Sequence, residues 1–314
     1  MRNSPPLVGV FGSTGTIGRA VVAELARRGY GARAFARRAA AVPDGPVAVV
    51  VDLDAPGAAL DGVDVVISCM ASRTGVPHDA RTVDYQANAQ ALAAAKAAGV
   101  EHFILLSAIC VQKPRLAFQL AKLRFEDDLV LSGLRYSIVR PTAFFKSLSG
   151  QIGRVRAGKP FLLFGDGTST ASKPISDRDL AAFIVDCIDR EERWNRVLPI
   201  GGPGPAITPR AQGELLFELT GRPPRFRSIS PAMLKSVAAV LGALSRFIPP
   251  LRAKAELARI GHYYATESML EWNQATARYD EGATPETGSD TLEAYYRQVL
   301  AGEATVERGD HAVF

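Results

Sequence analysis

Three glycines stand near the start of the chain in Gly12-Ser13-Thr14-Gly15-Thr16-Ile17-Gly18, directly after the apolar run Leu7-Val8-Gly9-Val10-Phe11. Downstream, Ile17, Val21 and Leu25 share one helical face while Arg19, Arg27 and Arg28 lie away from it. The loop therefore joins a buried strand to an amphipathic helix, the setting in which a glycine pattern carries chemistry. Gly12 can take the tight turn, Gly15 lets the backbone approach a pyrophosphate, and Gly18 lets the helix pack closely on the sheet. The helix N-terminus adds free N–H groups and partial positive charge for phosphates. Residues 12–18 are thus expected to cradle a dinucleotide. The next strand ends in Arg37-Arg38 and offers no carboxylate. NAD binders place an acid there for the ribose 2′-hydroxyl, whereas two guanidinium groups suit a 2′-phosphate, so the expected cofactor is NADPH. Asp52 and Leu53, after a third strand, fall where such folds contact adenine.

The elements that position these residues alternate. Strands are expected at 7–11, 32–36, 47–51, 63–69, 103–107 and 136–139, with helices at 16–28, 80–98 and 115–132 between them. That order predicts an α/β fold, a doubly wound parallel sheet of Rossmann type with helices on both faces. After Pro141 the pattern changes: glycine and proline cluster, and helical spacing recurs at 177–188, 209–220, 231–247, 253–264 and 291–300. Residues 1–145 are therefore expected to bind the cofactor, with segments of 175–205 returning to the sheet. Residues 146–314 are expected to form a mainly helical substrate lobe, continuous with the first part.

Composition narrows the class. With 47 % hydrophobic and 22 % charged residues a packed core is possible, and global disorder is excluded. The excess of 37 basic over 32 acidic residues suits a small anionic ligand or an anionic membrane surface, and is too weak and evenly spread for nucleic acid. Cys69, Cys110 and Cys187 have neither zinc-ligand nor redox spacing and read as reduced core residues. His78, His102, His262 and His311 are scattered, so no metal site is expected. The N-terminus has no apolar signal core, and residues 232–248, the most apolar stretch, are interrupted by Lys235 and Arg246. A cytoplasmic protein is expected, with residues 231–264 as the candidate for peripheral contact with a membrane surface. Its oligomeric state is left open.

The glycine loop, Asp52-Leu53, Met70-Ala71-Ser72, the helix around Asp84 and Asn88, Ser107 and Lys122 together resemble the short-chain dehydrogenase/reductase superfamily in its extended or atypical branch. Longer segments narrow the likeness: 107–114 (SAICVQKP), 136–148 (YSIVRPTAFFKSL), 158–167 (GKPFLLFGDG), 173–181 (KPISDRDLA), 198–209 (LPIGGPGPAITP) and 263–272 (YYATESMLEW). These are similar to the NADPH-dependent divinyl chlorophyllide 8-vinyl-reductases of phototrophs, from the loop to about residue 296. The resemblance implies reduction of the C8 vinyl group of a tetrapyrrole to ethyl, with Ala71, Ser72, Pro141 and Thr142 near the cofactor. The branch also holds reductases of other conjugated double bonds and non-catalytic NADP sensors or assembly proteins, which stay open as alternatives.

The superfamily's Tyr-x-x-x-Lys pair is matched here by Phe118-Gln119-Leu120-Ala121-Lys122. Residues four apart share a helix face, so Phe118 would stand beside Lys122 with no phenol to protonate an alkoxide. Vinyl reduction creates no alkoxide. Phe118 would then face a flat apolar substrate, Lys122 would hold the nicotinamide ribose, and Ser107 would line the nicotinamide pocket. The proton donor is open among Tyr85, Tyr263, Tyr264, Glu267 and water. His262 is a candidate for the substrate's magnesium, though a plain lobe histidine is the simpler reading. Lys146, Lys159 and Lys173 are candidates for a propionate, with a solvated position the simpler reading for each.

Overall fold

Alternation along short apolar runs puts successive side chains on opposite faces of a sheet, and both faces need cover. The computed structural model describes residues 5–36, 49–50, 57–248 and 250–304. Its strands are β1 (Leu7–Phe11), β2 (Gly31–Ala36), β3 (Val49–Val50), β4 (Val65–Ser68), β5 (His102–Leu106), β6 (Arg135–Pro141), β7 (Phe161–Phe164) and β8 (Arg196–Ile200). All but β7 join one sheet in the order β3-β2-β1-β4-β5-β6-β8, and every pairing in it is parallel.

The helices of this half are α1 (Thr16–Arg27), α2 (Pro77–Asp79), a π-helical segment (Ala80–Ala87) that continues into α3 (Asn88–Ala97), and α4 (Ala117–Val130). Val8, Val10, Val65, Ile67, Ile104 and Val139 meet Ile17, Val21 and Leu25 of α1 on one face. The alternate residues Phe11, Val66, Phe103, Leu105 and Ile138 meet Ala91 and Leu92 of α3 and Phe125 and Leu129 of α4 on the other.

Beyond β6 the chain forms α5 (Ile152–Arg156) and β7, then returns as α6 (Asp177–Asp186) and β8. Leu180 and Ile184 of α6 complete the core over α1, and Arg28 Nη1 lies 2.6 Å from Asp186 Oδ1 between the two helices. Ser176 accepts from the Asp179 N–H at 3.0 Å and starts α6. The rest is α7 (Pro209–Leu219), β9 (Phe226–Ile229), α8 (Pro231–Leu244), α9 (Leu251–Thr266), β10 (Glu271–Asn273), β11 (Arg278–Asp280) and α10 (Leu292–Ala301). β7 pairs with β9, and β10 with β11, so the lobe holds two small sheets beside its helices. Its core is Phe145, Phe161, Leu163, Leu216, Phe217 and Tyr296. A seam of Cys110, Leu116, Ile260 and Tyr263 joins it to the sheet half.

Candidate functional site

The C-terminal ends of β1, β4, β5 and β6 open into loops on one edge of the sheet, where ligands bind in such folds. In the first loop Gly12 has φ 72°, and a Cβ there would stand 2.8 Å from the Cys69 carbonyl carbon. A Cβ on Gly18 would fall 2.1 Å from Gly12 O, so helix and loop touch through bare backbone. Gly15 differs: its φ is −75°, and the nearest atom to a Cβ would be Gly12 O at 3.3 Å. Thr14 and Gly15 are exposed, while Ser13 is fully buried and its hydroxyl donates to Phe35 O at 2.8 Å. Ser13 thus ties the loop to β2. Gly15 caps α1 without a side-chain hydrogen bond, and the first turn carries no acid. The positive end of the helix is open on its outer side, which fits a pyrophosphate. Ile17 is buried in the core.

Lys146 Nζ donates to the Thr16 hydroxyl at 2.6 Å, from the short turn after β6. The side chain is half-buried, where the simpler expectation was a solvated one, and its ammonium sits against the first residue of α1. Lys173 also differs from expectation, because it is buried and paired with Glu286. Lys159 is exposed. Arg37, Arg38, Asp52 and Leu53 lie outside the described residues.

The second cluster centres on Lys122, which is 8 % exposed. Its Nζ is 3.2 Å from Asp84 Oδ1, an oxygen that also accepts from the Ser72 N–H at 3.2 Å. Asp84 is buried, and its Oδ2 has no hydrogen-bond partner. An orphaned buried acceptor beside an ammonium is a position a ribose hydroxyl could fill. Asp84 stands in the π-helical segment, a wide turn that recurs at functional sites. Asn88 secures it: its Nδ2 donates to Val83 O at 3.1 Å and Asp84 O at 3.2 Å, and its Oδ1 accepts from Ser68 at 2.6 Å. Desolvation pushes the Cys69 thiol up to about 12 against the pull of Lys122, so it stays neutral. Ala71 is exposed at the mouth of this loop.

Phe118 is half-buried beside α9. A Cβ on Gly75 would lie 3.1 Å from Ile260 Cδ1 and 3.2 Å from Phe118 Cδ1, so the loop after β4, α4 and α9 converge at this ring. The Ser107 hydroxyl donates to Glu126, which is 3 % exposed and paired with Arg140. Glu126 follows Lys122 by four residues on α4, a spacing that could have flagged it. The Thr142 hydroxyl donates to Lys173 O, and Pro141 ends β6 opposite Ile200. Gln119 is buried; its Oε1 accepts from the Arg115 and Leu116 N–H groups at 2.8 and 3.0 Å, holding the start of α4.

The four candidate acids have different surroundings. Tyr263 donates to Cys110 O at 2.9 Å and Lys113 O at 3.2 Å, and burial raises its pKa. Burial opposes ionisation of Glu267, yet Lys113, Tyr279 and Arg115 hold its carboxyl below the usual range. The Tyr85 ring is covered by the Arg124 guanidinium at 4.1 Å. Tyr264 is 37 % exposed, edge-on to Tyr263 with centroids 5.7 Å apart, and its hydroxyl lies beside the Cys110 thiol. His262 is half-buried, and its carbonyl accepts from Thr266 at 2.9 Å.

A parallel sheet with an open glycine loop on its C-terminal edge defines a nicotinamide-dinucleotide-binding protein, and a family model described as NAD(P)H-binding matches residues 12–191. The fold is also that of an NADPH-dependent quinone oxidoreductase from Escherichia coli complexed with NADPH, at 19 % identity and a TM-score of 0.68 over 93 % of this chain and 99 % of that one. The chloroplastic divinyl chlorophyllide a 8-vinyl-reductase of Oryza sativa subsp. indica is 46 % identical over 97 % of this chain and 81 % of its own length. That of Arabidopsis thaliana is 45 % identical over 96 % and 78 %. The chain belongs to the divinyl chlorophyllide a 8-vinyl-reductase family.

Proposed function

We propose that the protein reduces the C8 vinyl group of a 3,8-divinyl chlorophyllide to ethyl, with NADPH as the donor. The observation that carries this reading is Phe118: an apolar ring stands where a carbonyl reductase needs a phenol, beside a buried lysine and under an apolar lobe. The likeness to reductases of that name over nearly the whole chain supports it. NADPH would supply a hydride equivalent for the terminal vinyl carbon. The backbone of residues 12–18 would bind the pyrophosphate, with Lys146 adding charge at Thr16. Lys122, placed by Asp84, would hold the nicotinamide ribose and favour negative charge as it spreads into the macrocycle. The inner carbon then needs one proton, and vinyl becomes ethyl. We assign that proton to the Tyr264 hydroxyl, which burial keeps protonated and which regains its proton before the next turnover, because Tyr263 is bound to carbonyls, Glu267 is held ionised and the Tyr85 ring is covered by the Arg124 guanidinium.

The test follows the pigment's absorption shift with divinyl chlorophyllide and NADPH. Vinyl reduction with matching NADPH consumption is expected; NADPH oxidation on small enones or quinones but not on the pigment would overturn the reading. Tyr264→Phe should lower kcat and leave the NADPH dissociation constant unchanged, while a fully active variant removes the phenol from the mechanism. Arg37→Ala with Arg38→Ala should weaken NADPH far more than NADH; equal weakening argues against a 2′-phosphate site. Among the described residues no helix is long and apolar enough to cross a membrane. We infer peripheral contact with a photosynthetic membrane, the source of so apolar a substrate.

A further inference from the structure

Helix α8 buries one residue, Ala238. Met233, Val237, Val240, Leu244 and Phe247, spaced by three or four residues, and the adjacent Ile248 are between 42 and 85 % exposed. They form a continuous apolar stripe on the outside of the lobe, the arrangement that marks an interaction surface. One flank of α8 is taken by α9, where a Cβ on Gly261 would lie 3.8 Å from Leu234 Cδ1. Lys235 on α8 and Arg246 in the turn after it are exposed. Between residues 219 and 255 the chain has seven Lys or Arg and no Asp or Glu, and all seven are exposed, Arg252 and Lys254 among them.

We propose that the outer face of α8 docks on an anionic lipid surface, its apolar stripe entering the headgroup boundary and the surrounding bases pairing with lipid phosphates. The charge pattern selects this occupant. An apolar stripe alone would fit a second copy of the chain, but two such faces would bring Lys235, Arg246, Arg252 and Lys254 of each copy together with no acid between residues 219 and 255 to offset them. An anionic headgroup layer offsets them, and a helix with an apolar face and a basic rim is the form that lies in such a layer. Geometry gives the contact a use that rests on the reductase reading. Helix α9 joins α8 to the ring of Phe118 through Ile260, so the surface that meets lipid is also the outer wall of the site. An apolar macrocycle could then pass from bilayer to site without crossing water.

Flotation of the full chain, without pigment or cofactor, tests the docking. The probes are vesicles of phosphatidylcholine and phosphatidylglycerol in equal parts, and of phosphatidylcholine alone. The protein should float with the anionic vesicles at low salt, much less with the neutral ones, and less as salt rises. Val240→Asp with Leu244→Asp should lower binding about tenfold or more through lost apolar burial. Arg252→Glu with Lys254→Glu should lower it by roughly 30-fold or more, since each base near an anionic surface adds about fivefold. Unchanged NADPH affinity would show that the variants are folded. No flotation at low salt, equal flotation with neutral vesicles, or no effect of Val240→Asp with Leu244→Asp overturns the proposal. So does a stable dimer that this double variant splits, which would assign the stripe to a second copy. Flotation needs no turnover, so its failure leaves the reductase reading standing, and an inactive protein that floats leaves the docking standing.

Discussion

Helices α1 and α8 each carry apolar residues three and four apart, yet the side chains end in opposite surroundings. Val21, Val22 and Leu25 of α1 have no exposed surface at all, whereas Met233 and Val240 of α8 are more than half exposed. The face of α1 is consumed by the sheet and by α6. The face of α8 is left over after α9 has packed against its flank. Amphipathic spacing therefore states that a helix has an apolar side, and only tertiary placement states whether that side serves the fold or meets something else. The same division separates the glycines of the loop. Gly12 and Gly18 face inward onto backbone, and Gly15 faces the outside.

The comparison can be broken from its sealed side first. Leu25→Ala should cost about 2–5 kcal/mol, because a side chain with no exposed surface leaves a cavity between helix and sheet. Urea denaturation would measure it, and a cost near zero would mean the α1 face is not closed. Next in size, Gly15→Val should raise the NADPH dissociation constant by about 100-fold, roughly 2.7 kcal/mol, with little loss of stability. Calorimetric titration checks it, and an unchanged affinity would remove the loop as the phosphate cradle.

The closed side also fixes a pH dependence. Ser137 donates to Arg193 O at 2.8 Å, so its oxygen is left to accept from His102 Nε2 at 3.0 Å, and the buried Nδ1 has no partner. Burial, with Arg135 nearby, lowers the His102 pKa to about 3. The unfolded chain takes up a proton near pH 6.5 and the folded one does not, so stability is full above that pH and falls as pH drops toward 3. Between pH 6.5 and 5 this group should remove about 2 kcal/mol. Denaturation curves at pH 7 and 5 should differ less in His102→Gln by that amount, and equal slopes would refute the assignment. The smallest effect belongs to the open side: Val240→Ser should change stability by less than about 0.5 kcal/mol. A loss as large as that of Leu25→Ala would show that the α8 stripe is covered within the folded chain.

The doubly wound parallel sheet was legible because its strands alternate with long periodic helices. The edges of α1, α4 and α6 came within a few residues of those observed. β8, β9, β10 and β11 were not, since runs of three to five residues between turns carry too little periodicity to read. In the site, the glycine loop and the lysine beside the missing tyrosine could be read from local spacing. The pairing of Lys122 with Asp84 joins residues 38 apart in sequence, and Lys146 meets Thr16 across 130. No local pattern reports such contacts. Glu126 was missed although it shares a helix face with Lys122, because a lone helix glutamate is ordinarily a solvated one.

The route of the chain through the sheet has a consequence for its synthesis. β8 pairs with β6 only after the chain has left for β7 and come back through α6. A nascent chain that has released β6 from the ribosome still presents that strand as an open edge, and the groove of α1 that α6 will fill is still bare. Both are templates for aggregation until about 60 further residues emerge, some seconds at ordinary elongation rates. Chaperone capture should peak in that interval, and a chain stopped after residue 145 would keep the exposed edge permanently instead of yielding a minimal cofactor-binding module.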